Sequence, residues 1–174
     1  VSQYQLSYKY FNMLYMIFVI IMTPNWSAFT DAFTKQDFVW MKSAYKKLNI
    51  LALIAIPLLI LMIIVSPIFF KLWINNSIVI PIKLHICMAL YIYSMIFAGI
   101  RMYILNGIGK VTLQFIIYMF FAVLSIPMMN YFSNLIGVYG ILLFLFIVYL
   151  AQGIVGSMQI HKLLNKTALG LWNK

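Results

Sequence analysis

The chain has 174 residues and a formal net charge of +10, with 66% hydrophobic residues and 8% charged ones. Soluble domains run near roughly 45–50% apolar and about 25% charged, so this composition excludes a water-soluble globule. Nucleic-acid binding is not expected either, because the basic residues scatter at segment ends instead of forming one basic face.

The lone Cys87 excludes an internal disulfide and a multi-cysteine metal site. In its apolar context, HICMAL, it reads as a small buried hydrophobe. The chain opens at Val1 with no signal-peptide pattern, and we expect it to be the C-terminal part of a longer protein.

In chain order, the first span covers about Tyr10–Thr30, with tyrosines before it suited to a membrane interface and Pro24 expected to kink it. It carries no charge, and about 18 such residues are enough to cross about 30 Å of hydrocarbon. The segment Asp31–Lys47 then holds both acidic residues and four of the twelve basic ones. Asp37 reads as an N-cap for a helix starting at Phe38. Phe38, Met41, Tyr45 and Leu48 share one face while Lys42 and Lys46 lie on another, the pattern of a helix that starts along the interface and turns into the bilayer.

The second span, about Leu48–Phe70, contains Pro57 and Pro67, and KLWINNSIVIPIK after it reads as a loop. The third, about Leu84–Leu105, is interrupted by the chain's only arginine, Arg101, and closes on the turn signal NGIGK. Residues 111–161 hold no Lys, Arg, Asp or Glu. They divide at the polar cluster Asn130–Asn134 into a fourth span, about Val111–Met129, and a fifth, about Leu135–Ile160.

The fold expected is therefore an all-α integral membrane protein of about five transmembrane helices. Lys35, Lys42, Lys46, Lys47, Arg101, Lys110, Lys162, Lys166 and Lys174 fall on one side, and Lys9, Lys71 and Lys83 on the other. The positive-inside rule places the richer side, with the C-terminus, in the cytoplasm.

No catalytic constellation is visible: there is no paired carboxylate, HExxH, GxSxG or P-loop. An enzyme, a metal and a cofactor are accordingly not expected. His85 and His161 read as interfacial residues, having no acidic or cysteine partner at helix spacing. Polar residues inside the spans are the binding candidates, because lipid rarely accepts them. Tyr91, Ser94, Ala98 and Arg101 form one stripe of the third span. Gln114, Tyr118 and Ser125 line one face of the fourth. In the fifth span, Gln152 and Gly156 share a face, with Gly153 and Ser157 adjacent as a small-residue packing face. The candidate substrate-binding set is thus Arg101, Tyr91, Ser94, Gln114, Tyr118 and Gln152. Arg101 has two readings: a topology anchor whose stem reaches the interface, or a bidentate fork for phosphate.

The order PNWSAFTDAFTKQDFVWMKSAYKK, apolar span, SPIFFKLWIN, then YILNGIGKVTLQ resembles the C-terminal half of bacterial polysaccharide repeat-unit flippases. These belong to the multidrug/oligosaccharidyl-lipid/polysaccharide exporter superfamily. The resemblance covers nearly the whole chain. It implies that residues 1–174 form most of the C-terminal bundle of a transporter of twelve or more helices. It implies export of undecaprenyl-pyrophosphate-linked oligosaccharide for O-antigen or capsule synthesis in the inner membrane. The partners implied are the lipid-linked sugar, membrane lipid, the preceding helices and a polysaccharide polymerase. A drug exporter of the same superfamily and a membrane enzyme or accessory subunit of envelope assembly are the alternatives.

Overall fold

The structure, a computed structural model, describes residues 2–74 and 80–174. Five long helices, α1 (Ser2–Thr34), α2 (Phe38–Ile74), α3 (Ile82–Gly107), α4 (Thr112–Ile136) and α5 (Val138–Leu164), run alternately up and down, followed by a short 3₁₀ helix at Gly170–Asn173. Each of the five is long and apolar enough to cross a membrane.

Several boundaries differ from expectation, each for a local reason. The first helix runs on past Thr30, so Asp31 lies within it and pairs with Lys35 one turn later at 2.8 Å. Asp37 does cap α2, its Oδ1 accepting from the Trp40 amide at 2.9 Å. No turn separates an interfacial helix from the second span: α2 continues unbroken for 37 residues, about 55 Å at a rise of about 1.5 Å. The expected face is nonetheless the buried one, with Met41 and Leu48 inside and Lys42, Lys46 and Lys47 exposed. Around Pro24, Thr23 and Asn25 bond back to the carbonyls of Val19 and Ile21 while α1 remains one helix. The loop expected after Phe70 is shortened by α2, which reaches Ile74, and by α3, which starts at Ile82; Asn75–Val79 lie outside the described residues.

The break expected at Asn130–Asn134 is absent, because those residues are helical and α4 extends to Ile136. The chain turns at Gly137 instead, at φ 66° and ψ −143°, backbone that side-chain-bearing residues rarely adopt. A side chain at Gly140 would collide with the Phe132 carbonyl, so the α4–α5 corner closes tightly.

Among the described elements α3 is central, packing against α1, α2 and α5, while α4 rests mainly on α5 and has no buried residue. One end gathers the α1–α2 corner, the α3–α4 corner and the C-terminal segment. There Thr30 Oγ1 donates to the Gly107 carbonyl at 2.6 Å, Lys110 Nζ to Asn173 O at 2.8 Å, and Lys166 Nζ lies 4.8 Å from the Phe38 ring centre. At the opposite end Tyr10, Phe11, Phe70 and His85 form an aromatic cluster, with His85 stacked on Phe70 at 5.3 Å.

Candidate functional site

The expected stripe on α3 is buried along its length: Tyr91, Ser94, Ala98 and Arg101 all face the bundle interior. Alpha-5 reaches it so closely because of its glycines. A Cβ at Gly153 would strike the Phe97 ring, and one at Gly156 would sit 2.8 Å from Arg101 Cβ. The small residues of α5 therefore set the approach of the two helices, small side chains letting helix backbones come close.

Arg101 is 4% exposed, its side chain enclosed by the helix bundle. Its guanidinium is held by three helices. Nε donates to Ser157 Oγ on α5 at 2.9 Å, one terminal nitrogen to Phe97 O at 2.9 Å, and the other to Asn49 Oδ1 on α2. The acceptors are themselves oriented, Ser157 by donating to Gly153 O and Asn49 by donating to Tyr45 O. The Phe97 ring lies 3.8 Å from the guanidinium carbon and the Tyr45 ring 5.7 Å.

All of these partners are neutral. The sequence has only Asp31 and Asp37 as acids, and both are exposed near the α1–α2 corner. The buried cation is thus balanced by dipoles and π faces, without a counter-charge. Burying a charge in this way is costly unless it is well hydrogen-bonded, and three of the guanidinium's five donors are so used.

One cavity borders this residue, and a second borders its neighbours Tyr45 and Ser157. A small one of about 20 Å³ between α3, α4 and α5 is lined by Arg101, Gln114, Gln152 and Gln159, among others. The Oε1 atoms of Gln114 and Gln152 are buried without a hydrogen-bond partner. The volume suits about one water. A wider cleft of about 440 Å³ lies between α2 and α5 at the lysine-rich end, lined by Tyr45, Ser157, Met158, His161 and Lys162. Ser157 and Tyr45 separate it from the guanidinium. Lys162 at its edge lies 3.9 Å from the Trp172 ring centre.

Of the six candidates, Arg101, Gln114 and Gln152 meet at the small cavity. Tyr118 comes near it through its hydroxyl, 2.7 Å from Met102 Sδ. Tyr91 sits apart, against Tyr149 at 5.9 Å, and the Ser94 hydroxyl is spent on Tyr91 O. Asn49 and Gln159 were missed, although Gln159 falls on the helical face of Gln152 and Gly156. Its amide donates to Lys110 O and Trp172 O, fastening the C-terminal segment to the α3–α4 corner.

The histidines separate as well. His161 is exposed, with Nε2 3.0 Å from Asn165 Nδ2. His85 is buried between helices near the start of α3, with Nδ1 3.1 Å from Ser7 Oγ and rings of Phe11 and Phe70 around it.

Comparison with family models, with curated protein sequences and with solved structures gives no match for this chain.

Proposed function

We propose that this chain is part of a bacterial inner-membrane transporter that flips undecaprenyl-pyrophosphate-linked oligosaccharide during surface-polysaccharide synthesis. The observation that carries the reading is the meeting of its two most telling motifs. Thr30, in PNWSAFTD, donates to Gly107, in LNGIGK, and a Cβ on that glycine would lie 2.7 Å from the Trp26 carbonyl. Segments about 77 residues apart are thus matched to each other at one end of α1 and α3, at close backbone approach that only glycine permits.

In this reading the lysine-rich end and the C-terminus face the cytoplasm. The cleft between α2 and α5 admits the anionic head, with Lys162 and His161 at its edge and Arg101 behind Ser157 and Tyr45. A phosphate oxygen at about 4 Å from the guanidinium gains about 4 kcal/mol at an effective dielectric near 20. It would replace Ser157 and Asn49, neutral acceptors, with a charged one, a stronger class of hydrogen bond. Gln114 and Gln152, with unpartnered oxygens, would accept from sugar hydroxyls, and Tyr91, Ser94 and Tyr118 complete the candidate set. The remaining helices of the transporter and a polysaccharide polymerase are the proposed protein partners.

The test uses the intact protein in a flippase-deficient strain, scored for surface polysaccharide at matched membrane levels. The wild type restores the polysaccharide; failure to do so for any repeat unit tried, with the protein properly inserted, counts against the function. Arg101→Lys and Arg101→Gln lose most export, whereas Ser157→Ala, which removes one acceptor of the guanidinium but keeps the cation, retains it. Wild-type export from both arginine variants would sink the binding role.

A further inference from the structure

The exposed face of α3 carries a feature that the proposed transport path does not use. Lys83, Ile86, Leu90 and Tyr93 lie along one side of the helix at i, i+3, i+7 and i+10, with Ile86 and Leu90 exposed. A groove runs down each flank. On one side, Ile56, Ile60 and Ile63 of α2 face Leu90 and Tyr93 across a trough of about 270 Å³. On the other, Cys87 of α3 faces Ile136, Tyr139 and Leu143 across one of about 510 Å³. Ile86 lines both grooves, so it is the ridge between them. Lys83 lines the second groove at its mouth.

From these observations we propose that the ridge and its two grooves bind one phospholipid with an anionic headgroup, in the leaflet opposite the lysine-rich end. Three features favour that occupant. The first is charge. Lys83 stands where the hydrocarbon would end, and both acids of these 174 residues lie at the other end of the bundle, so neither of them neutralises it. Tyr139 offers a hydroxyl beside it, at the depth where tyrosine is favoured.

The second is length. Ten residues from Lys83 to Tyr93 span about 15 Å at a helical rise of about 1.5 Å, half of a hydrocarbon core of about 30 Å. The two grooves together reach that depth, the second lying along residues 83–87 at the mouth and the first along residues 86–93 below it. The third is number: two apolar troughs separated by one ridge match two acyl chains diverging from one head. A single-chain lipid would fill only one of them. The proposal rests on the membrane placement given above, and is independent of which substrate is moved.

Carbonate extraction first establishes that the protein is membrane-integral, and failure there would overturn the placement itself. The intact protein in mild detergent is then titrated with phosphatidylglycerol, phosphatidylcholine or a polyprenyl phosphate, and bound lipid is counted by native mass spectrometry. We expect one retained phosphatidylglycerol, weakened about fivefold by Lys83→Gln, from the worth of one lysine at an anionic lipid surface. Lys71→Gln, a cation at the same end outside the grooves, leaves binding unchanged. Ile60→Trp and Leu143→Trp, one bulky residue in each groove, each weaken it. An equal loss from Lys71→Gln would reduce the effect to general surface charge and overturn the site. So would tighter retention of the polyprenyl phosphate, or no retained lipid at all from a membrane-integral protein.

Discussion

Arg101 illustrates how a single residue can be conspicuous in a sequence while its setting stays hidden. It is the only arginine and lies within an apolar span, which marks it at once. Its partners Asn49 and Ser157 are 52 and 56 residues away, and no local pattern links them. If the guanidinium is the strut joining α2, α3 and α5, Arg101→Met and Asn49→Leu must be coupled. A double-mutant cycle, read by unfolding of the intact protein in detergent, should return about 1–3 kcal/mol, the range for a hydrogen bond to a charged group. A coupling near zero would dismiss the strut. Gly156 acts at the same place by having no side chain. Gly156→Ala puts a methyl group 2.8 Å from Arg101 Cβ. It should lower stability by about 1–3 kcal/mol through overpacking, with unchanged unfolding as the contrary result.

At the scale of elements, the polar cluster Asn130–Asn134 suggests a helix end, and the chain turns a few residues later. Asparagine and serine near a helix terminus can be hydrated or bond locally, so they do not force a break. Gly137 does, because its positive φ disfavours any side chain. The two origins make opposite predictions. Gly137→Ala should destabilise the α4–α5 corner by about 1–3 kcal/mol, whereas Asn134→Ala, exposed within α4, should stay within about 0.5 kcal/mol. Thermal unfolding of the two variants side by side decides which residue ends the helix. In α2 the misplaced boundary has a different cause. The amphipathic start at Phe38 and the apolar run after Leu48 carry different hydrophobic patterns, yet no residue between them stops helical hydrogen bonding. A change in what a helix faces is not a change in its backbone.

For the whole molecule, the alternation of helices brings the corners at residues 34–38 and 107–112 and the C-terminal segment to one end. The nine-to-three division of basic residues read from the sequence follows this arrangement, except that Arg101 is drawn into the interior. With Cys87 replaced by alanine, single cysteines at Lys42 and Lys174 should resist an impermeant thiol reagent in intact cells, and one at Pro81 should react. Labelling at Lys42 but not at Pro81 would reverse the orientation and, with it, the direction from which the α2–α5 cleft is entered.

What the sequence by itself determined is the set of helices, their order and the lysine-rich end. Each follows from local quantities: the apolar length of a segment, its turn residues and the charges beside it. Only the tertiary structure decided which faces meet. The spans of α4 and α5 are apolar on nearly every side, so they present no amphipathic stripe to say which face turns inward. In the membrane placement proposed above, lipid tails are as apolar as leucine, and burial alone does not choose among such faces. For α5 the choice falls to close fit at Gly153 and Gly156 and to the hydrogen bond that Arg101 makes to Ser157, with a further one tying Arg101 to α2. Those depend on shapes that exist only once the helices are side by side.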